Sequence, residues 1–249
     1  MTILVTRAEP DNAATADALR RRGFDVLLAP VLQFEALPIR HDDSVGYGGV
    51  IVTSANALRA IRSHPLSARL IELPVYAVGR RTAEAARNAG FANVSSADGD
   101  VTALRKLVVD AIPRRDRRKP LLYLSGSDIA GDIVTGLAGD GIVATPLIVY
   151  RMIPVAELSD DVRSAFAAQT IDAVLHYSAR SAASFVAAIR GAALEIAALA
   201  VPQVCLSEAV ARILREAGAT RLVVAEKPRE TDLLDALERS VPPPQNRRG

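Results

Sequence analysis

The sequence contains an internal repeat, and this repeat limits the folds that the chain can adopt. The segment PVYAVGRRTAEAARNAG at residues 74–90 is matched 128 positions later by PQVCLSEAVARILREAG at residues 202–218. The segments VIVTSANA and VLHYSARS form a second pair that lies 124 positions apart, and Gly23 and Gly141 mark a third pair that lies 118 positions apart. Because three blocks recur in the same order, we predict two similar lobes, an arrangement that commonly encloses a ligand-binding cleft.

Short runs of Val, Ile and Leu alternate along the chain with alanine-rich stretches of helical pattern. The apolar runs are not interrupted by polar residues, which indicates strands whose two faces are both covered. A repeated order of strand, helix and strand is typical of a parallel sheet with helices on both faces. The 249 residues are enough for two such lobes. We therefore predict an α/β fold of two similar lobes, each a parallel sheet flanked by helices.

Two extended, proline-containing segments depart from this alternation, at residues 31–39 and 147–155. They occupy equivalent places in the two copies of the repeat. If each carries the chain from one lobe to the other, the segments can pair as a two-stranded linker, and the lobe that holds the N-terminus is discontinuous. The residue pattern alone equally allows two sequential lobes. The Pro-rich, polar residues 241–249 predict a disordered tail.

The composition favours a small anionic ligand over nucleic acid. The formal net charge is only +2, and aromatic residues that could stack on bases make up 4% of the chain, with no Trp. One cysteine, Cys205, excludes an internal disulfide and is typical of a reducing compartment. The first residues show no signal-peptide pattern, and no apolar run approaches the roughly 18 residues of a membrane helix. We therefore predict a cytoplasmic protein without nucleic-acid or membrane partners.

Small hydroxyl residues, glycines and arginines recur directly after the predicted strands. In parallel α/β folds these positions lie at the carboxyl edge of the sheet, beside helix N-termini whose free N–H groups attract anions. Ser and Thr at such positions also serve as ordinary helix caps. Their recurrence in both lobes favours one shared anion-binding site. The predicted substrate-binding residues are Arg7, Thr53, Ser54, Asn56, Gly79, Arg80, Thr82, Ser125, Gly126, Ser178 and Ser207.

Several other kinds of site do not match the residues. His41, His64 and His176 lack the spacing of metal ligands, and one cysteine is too few for a zinc site. A P-loop spacing of glycines begins at Gly126, but Asp132 stands where that motif needs Lys. No dinucleotide-binding glycine pattern follows a predicted strand. The remaining hypothesis is a site without metal or cofactor that uses hydrogen bonds and positive charge.

The chain also resembles a known family. The stretches that carry the resemblance are LVTR at 4–7, VIVTSANAL at 50–58, VYAVGRRTAEAARNAGF at 75–91, PLIVY at 146–150 and YSARSAASF at 177–185. In this order they resemble the uroporphyrinogen-III synthases, from about residue 3 to residue 240. The resemblance implies two α/β lobes joined by a two-stranded linker, with the N-terminal strands in the C-terminal lobe. The implied lobes are residues 1–35 plus 150–240 and residues 36–149.

The resemblance further implies an enzyme of tetrapyrrole (heme) biosynthesis. The family converts hydroxymethylbilane, a linear tetrapyrrole rich in carboxylates, into uroporphyrinogen III with loss of water and inversion of ring D. The family uses no cofactor, so the resemblance implies a cofactor-free, cyclising lyase. We expect a monomer that makes transient contact with the enzyme that produces the bilane. A carboxylate-rich substrate suits a site lined by helix N-termini and arginines.

Tyr150 is the candidate catalytic residue that the resemblance implies. It corresponds to the family's tyrosine on the returning strand of the linker, where it would hydrogen-bond the leaving hydroxyl as a general acid. The alternative role of Tyr150 is packing within the linker. Because a phenol is a weak acid at neutral pH, we expect its contribution to be modest.

The chain departs from the family pattern in two places. Residues 207–210 read Ser-Glu-Ala-Val where the family usually has a glycine and a threonine pair, and Glu208 would repel substrate carboxylates if it faced them. Ser127, Asp128 and Asp132 stand where the family usually has a basic residue. We therefore expect the central lobe to be the stronger anion site. Two other functions stay open, a two-lobed binding protein for a small polyanion and an enzyme that acts on a nucleotide or sugar phosphate.

Overall fold

The computed structural model describes residues 1–40, 45–128 and 132–242. The chain divides into two compact units, of which the first combines Met1–Gln33 with Ile153–Gly249 and the second is Phe34–Met152. Residues 243–249 of the predicted tail lie outside the described residues. No helix in the described part of the chain is both long and apolar enough to cross a membrane.

The first unit is built on a five-stranded sheet whose neighbouring strands are all parallel. Both faces are buried, since Ile3 packs in one apolar cluster and its neighbour Leu4 in another. In the order in which they pair, the strands are β11 (Leu222–Val224), β10 (Gln203–Cys205), β9 (Ile171–His176), β1 (Thr2–Val5) and β2 (Asp25–Leu28). The helices that cover the two faces are α1 (Asp11–Arg21), α7 (Asp160–Ala167), α8 (Ala179–Gly191), α9 (Glu195–Ala200), α10 (Glu208–Glu216) and α11 (Glu230–Ser240).

The second unit is built on a six-stranded sheet. Its strands are again buried on both faces, with Val50 and Val52 in one apolar cluster and Ile51 in the other. In pairing order the strands are β3 (Leu32–Ala36), β8 (Ala144–Pro154), β7 (Leu121–Gly126), β4 (Gly49–Val52), β5 (Val75–Ala77) and β6 (Val94–Ser96). The helices are α2 (Ala55–Ile61), α3 (Pro65–Leu70), α4 (Arg80–Asn88), α5 (Val101–Ala111) and α6 (Asp132–Gly139), with a short 3-10 helix at Arg114–Asp116.

The chain passes between the units along two paired strands, leaving the first unit within β3 and returning to it within β8. The N–H of Leu37 donates to the carbonyl of Val149 at 2.9 Å, and the N–H of Val155 donates to the carbonyl of Val31 at 3.0 Å. Because residues later in β3 meet residues earlier in β8, these two strands are antiparallel. The two sheets, parallel except for the β3–β8 pair, the flanking helices and this linker confirm the predicted α/β fold class.

The internal repeat corresponds to equivalent elements in the two units. In the second unit β5 and α4 match β10 and α10 of the first, and β4 and α2 match β9 and α8. When β7 and β8 are matched to β1 and β2, five strands of each sheet follow one another in the same order. Along the chain, β1 and β2 are the first strands of the first unit, whereas β7 and β8 are the last strands of the second unit. The two units are therefore circular permutations of one topology.

The recurring glycines of the repeat each follow a helix and adopt a left-handed backbone. Gly90 and Gly218 have φ angles of +96° and +103°, and Gly23 and Gly141 have φ angles of +85° and +76°. The N–H of Gly90 donates to the carbonyl of Arg87 at 2.9 Å, which closes the end of α4. A left-handed residue at the end of a helix is least strained where no Cβ is present. This requirement explains why glycine occurs at the same place in both copies.

Alanine at two of these positions is expected to destabilise the protein to different degrees. A Cβ at Gly218 would meet no atom within 4 Å, so Gly218→Ala should cost only backbone strain, about 1 kcal/mol. A Cβ at Gly90 would come within 2.9 Å of Ile71 Cδ1, so Gly90→Ala should cost more. Urea unfolding followed by circular dichroism measures both losses. Equal losses in the two variants would contradict a role for the Ile71 contact.

Candidate active site

In each sheet, two neighbouring strands mark the point from which successive strands are added outward in opposite directions; we call this point the reversal of strand order. Ligands of parallel α/β folds bind at the carboxyl edge beside such a point. In the second unit the reversal lies between β4 and β7, and in the first unit it lies between β1 and β9. Predicted binding residues lie at both edges. Those beside the two reversals are Thr53, Ser54, Ser125 and Gly126 in the second unit, and Arg7 and Ser178 in the first.

Two hydroxyl groups meet at the edge of the second unit. Thr53 Oγ1 lies 3.2 Å from the hydroxyl of Tyr123, which reaches the edge from within β7. Burial raises the pKa of Tyr123, and the hydrogen bond to Thr53 only partly opposes this. Tyr123 was not among the predicted site residues. The signal that could have found it is a single tyrosine in the otherwise apolar run LLYL.

Tyr150, the predicted acid, also lies in the second unit, on β8. Its ring stacks on Phe34 with 5.7 Å between ring centres, and its far end lies against Gly126. The ring therefore packs on two sides, as the alternative role in the linker requires. No hydrogen bond joins the Tyr150 hydroxyl to the residues that the structure describes. The hydroxyl is thus able to hydrogen-bond a ligand.

Two serines of the second unit stabilise the local backbone. Ser54 Oγ accepts a hydrogen bond from the N–H of Asn56 at 3.2 Å and so caps α2. Ser125 Oγ donates to the carbonyl of Leu147 at 3.2 Å. The side-chain amide of Asn56 lies 3.6 Å from Met152 Sδ. These contacts hold the turns that follow β4 and β7 at the carboxyl edge.

The predicted residues beside α4 differ in accessibility. Gly79 precedes the helix in an extended conformation, and a Cβ there would meet no atom within 4 Å. Arg80 is exposed and its Nε donates to Asp98 Oδ2 at 2.8 Å, while hydrogen bonds from Ser96 and Arg80 lower the pKa of Asp98. Solvent screens this exposed pair. Thr82 is buried, so Gly79 and Arg80 are the more accessible of the three residues.

Arg7 forms a polar cluster at the carboxyl edge of the first unit. Its Nη1 donates to Glu230 Oε1 at 3.0 Å and to Thr15 Oγ1 at 3.1 Å, and its guanidinium carbon lies 4.4 Å from the centre of the Tyr177 ring. The Tyr177 hydroxyl donates to the same Glu230 oxygen at 3.0 Å. Asp11 is a second acidic partner of Arg7 at 3.4 Å. The charge of Arg7 is therefore balanced within its own unit.

The contacts in this cluster shift two pKa values. Burial by itself would raise the pKa of Glu230, but the hydrogen bond from Thr15 and the charge of Arg7 outweigh burial and lower that pKa. Burial raises the pKa of Tyr177 well above the ordinary range of a tyrosine. At neutral pH Glu230 is therefore ionised, and Tyr177 is a neutral hydrogen-bond donor.

The serines of the first unit precede two helices. Ser178 Oγ accepts from the N–H of Ser181 at 3.1 Å, and Ser181 Oγ accepts from the N–H of Ser178 at 3.2 Å, so the two form a capping box on α8. Ser207 precedes α10 in an extended conformation and makes no side-chain cap. Glu208 pairs with Arg215 at 2.8 Å. The negative charge of Glu208 is thus partly balanced within its own helix.

Comparison with known proteins decides the family. The family model described as uroporphyrinogen-III synthase HemD matches residues 13–235 of the chain. The chain belongs to the uroporphyrinogen-III synthase family. No curated protein matches it.

Two crystal structures of uroporphyrinogen-III synthases share this fold. The enzyme of Helicobacter pylori is 17% identical with a TM-score of 0.64, over 94% of this chain and 96% of that one. A mutant enzyme of the extremely thermophilic bacterium Thermus thermophilus is 22% identical with a TM-score of 0.56, over 96% of this chain and 98% of that one. At such identities these likenesses support the fold, and the family model carries the assignment.

Membership of the uroporphyrinogen-III synthase family confirms the resemblance seen in the sequence. It makes the chain an enzyme of tetrapyrrole (porphyrin and heme) biosynthesis, and the family implies hydroxymethylbilane as its substrate. Nothing in the comparisons favours the alternative of a two-lobed binding protein. Thr53 and Tyr123 place two hydroxyl groups beside the reversal of strand order in the second unit, and Tyr150 places a third on the next strand, β8.

Proposed function

We propose that the chain is a cofactor-free lyase that closes hydroxymethylbilane to uroporphyrinogen III, with Tyr150 as its general acid. The observation that carries the proposal is the family match over residues 13–235, together with the position of the Tyr150 hydroxyl beside the carboxyl edge of the second unit. The ring of Tyr150 packs against Phe34 and Gly126, while the hydroxyl is left for the substrate.

The first chemical step is loss of the substrate hydroxyl, which leaves as water and so needs a proton. A hydrogen bond from the Tyr150 hydroxyl, direct or through water, would assist this loss and generate an azafulvene. Attack by the substituted position of ring D then forms a spiro intermediate. Fragmentation and reclosure release ring D in the inverted orientation. Because the bilane also closes without enzyme, the protein must hold the reactive ends together and exclude the simple closure.

The substrate carboxylates require donors, and the second unit is proposed to supply the stronger set. Gly79 leaves the N-terminus of α4 open, and the backbone N–H groups of such an end attract anions. Arg80 lies exposed at the same place, where its charge is partly balanced by Asp98. In the first unit Arg7 is balanced by two carboxylates, so it is proposed to bind substrate more weakly. The remaining proposed binding residues are Thr53, Ser54, Asn56, Thr82, Ser125, Gly126, Ser178 and Ser207.

An isomer assay tests the proposed reaction. Freshly generated hydroxymethylbilane is supplied to the protein, the products are oxidised, and the porphyrin isomers are separated. We expect isomer III well above the level in a reaction without protein. Isomer I alone, which is the product of spontaneous closure, would contradict the proposal. Isomer III formed equally well in the presence of a metal chelator would support a reaction without metal.

Tyr150→Phe is expected to lower kcat about tenfold, the factor that corresponds to one hydrogen bond of ~1.4 kcal/mol made in the transition state. The loss is modest because a phenol is a weak acid. The rate of isomer III formation measures the change. Tyr76→Phe removes a phenol from β5 of the same unit and should leave kcat unchanged. Unchanged turnover in Tyr150→Phe would remove Tyr150 from the catalytic residues.

We further propose that the enzyme is a cytoplasmic monomer whose two compact units are the lobes expected at residues 1–35 plus 150–240 and at 36–149. Because the bilane is unstable, transient contact with the enzyme that produces it would shorten its exposure to solvent. Sedimentation of the protein alone measures its oligomeric state, and sedimentation with that enzyme measures the contact between the two. A stable dimer of the chain alone would contradict the proposed monomer.

A further inference from the structure

Tyr150 belongs to a row of four residues of the second unit in which each contacts the next. Gly126 on β7 lies against the end of the Tyr150 ring, and Tyr150 stacks on Phe34 of β3 with 5.7 Å between ring centres and 22° between ring planes. Arg59 on α2 places its guanidinium carbon 4.3 Å from the centre of the Phe34 ring. A cation at this distance is attracted to the face of an aromatic ring. The Tyr150 ring is thus held on one side by backbone and on another by a second ring.

Gly126 is placed beneath Tyr150 by an irregularity in the sheet. The register of β7 and β8 shifts between Ser125 and Gly126, and this shift pairs Gly126 with Tyr150. Immediately beyond it, the N–H of Ser127 donates to the carbonyl of Tyr150 at 2.9 Å. Such irregularities re-aim side chains and are frequent beside active sites.

Any side chain at residue 126 would displace the Tyr150 ring. A Cβ built there would lie 2.7 Å from Tyr150 Cζ, the carbon that carries the hydroxyl, and 3.0 Å from both Cε carbons. Contacts shorter than 3.0 Å are essentially never seen for a real Cβ, so the ring must shift. The shift would act on the end of the ring that holds the hydroxyl.

Phe34 lies beside a residue that contacts the neighbouring strand. The next residue, Glu35, pairs with Arg151, which follows Tyr150 on β8. β3 and β8 are neighbours in the sheet, and their pairing brings the two rings together. The stack therefore depends on the pairing of two strands and not only on the contact of two side chains.

We infer that Gly126 and Phe34 are positioning residues that set where the Tyr150 hydroxyl lies; this inference rests on the proposed function of Tyr150 as general acid. Gly126 leaves the space that the end of the ring occupies, and Phe34 fixes the plane of the ring. Neither residue transfers a proton. Both act on catalysis through the position of one oxygen atom, to which hydrogen-bonded proton transfer is sensitive.

A double-mutant cycle in the isomer assay tests Gly126. Gly126→Ala should lower kcat about as much as Tyr150→Phe does, about tenfold. The double variant should have the kcat of Tyr150→Phe alone, because a displaced ring without a hydroxyl has no acid to misplace. Gly139→Ala is the matched control, since a Cβ there would meet no atom within 4 Å, and it should leave kcat unchanged.

Phe34 provides a second test that does not depend on the stability of the glycine variant. Phe34→Leu should lower kcat without raising KM, and Phe34→Tyr, which keeps an aromatic ring, should restore it.

Losses that multiply in the double variant of Gly126 and Tyr150 would overturn the inference, because they would show that Gly126 acts independently of the hydroxyl. A Gly126→Ala enzyme with normal kcat would overturn it as well. Normal kcat in Tyr150→Phe would instead refute the acid role itself, so the two failures are distinguishable.

Discussion

Replacing Phe185 with alanine is expected to lower the free energy of unfolding by about 3–5 kcal/mol, because the ring is fully buried and its removal leaves a cavity. Phe185 on α8 lies 6.4 Å from Phe166 of α7 and 5.0 Å from His176 of β9, measured between ring centres. The ring therefore joins two helices to the central strand of the first unit. A loss of this size is a large part of the stability of a typical domain.

Urea unfolding followed by far-UV circular dichroism suits this measurement, because the chain has no Trp to report by fluorescence. Phe185→Leu keeps most of the apolar volume and should cost less than about 1.5 kcal/mol. Ile196→Ala removes an apolar side chain that is 91% exposed, and should change stability by no more than about 0.5 kcal/mol. If Phe185→Ala unfolded at the same urea concentration as Ile196→Ala, the assigned core would be wrong.

Acidification from pH 7 to pH 5 is expected to cost about 2 kcal/mol of stability through His176 alone. The imidazole is fully buried, and burial lowers its pKa from 6.5 to about 4, with the hydrogen bond to Gln203 opposing the shift only in part. The folded pKa lies below the unfolded one, so in this window the unfolded chain binds more protons. Stability is therefore complete above about pH 6.5 and falls as the pH approaches 4.

The hydrogen bonds around His176 identify which nitrogen carries the proton. Gln203 Nε2 donates to the carbonyls of Ala198 at 2.7 Å and Val201 at 2.9 Å, which leaves Gln203 Oε1 to accept from His176 Nε2 at 2.9 Å. The neutral ring is thus held as a donor. Protonation would add a buried positive charge whose hydrogen-bond partner, Gln203, is neutral.

Unfolding curves at several pH values measure this dependence. His176→Gln should remove most of the loss between pH 7 and pH 5, whatever its own effect on stability at pH 7. His64→Gln leaves His176 in place and should retain the loss. An unchanged pH dependence in His176→Gln would assign the acid sensitivity to other groups, such as Glu230, whose lowered pKa makes its contribution disappear at lower pH.

The elements that the sequence did not predict are short. The strand Val94–Ser96 and the helices Pro65–Leu70 and Glu195–Ala200 have three to six residues each. Segments this short contain at most two turns of helix or one strand alternation, so their pattern is weak, and tertiary packing supplies most of their stability. The extended segment predicted at residues 147–155 proved to belong almost entirely to one strand, Ala144–Pro154.

The candidate site was predictable in its position but not in its contacts. Parallel strands place their carboxyl ends at one edge, so the order of elements was enough to place Thr53 and Ser125 there. The contact of Gly126 with Tyr150 depends on a shift of register that no residue pattern shows. The pairing of Arg7 with Glu230 joins residues 223 positions apart. Contacts of this kind depend on the packed fold.

The amino-acid sequence alone determined the α/β fold class, because apolar runs and recurring glycines are local properties of the chain. Its ordered motifs carried the resemblance that implies the family and the candidate acid Tyr150. Only the tertiary structure decided that the repeat forms two circularly permuted sheets, since strand order depends on which distant strands pair. It also decided which charges are available to a ligand. Arg7 is balanced by Glu230, whereas Gly79 leaves the start of α4 open, because burial and distance set the strength of an ionic contact.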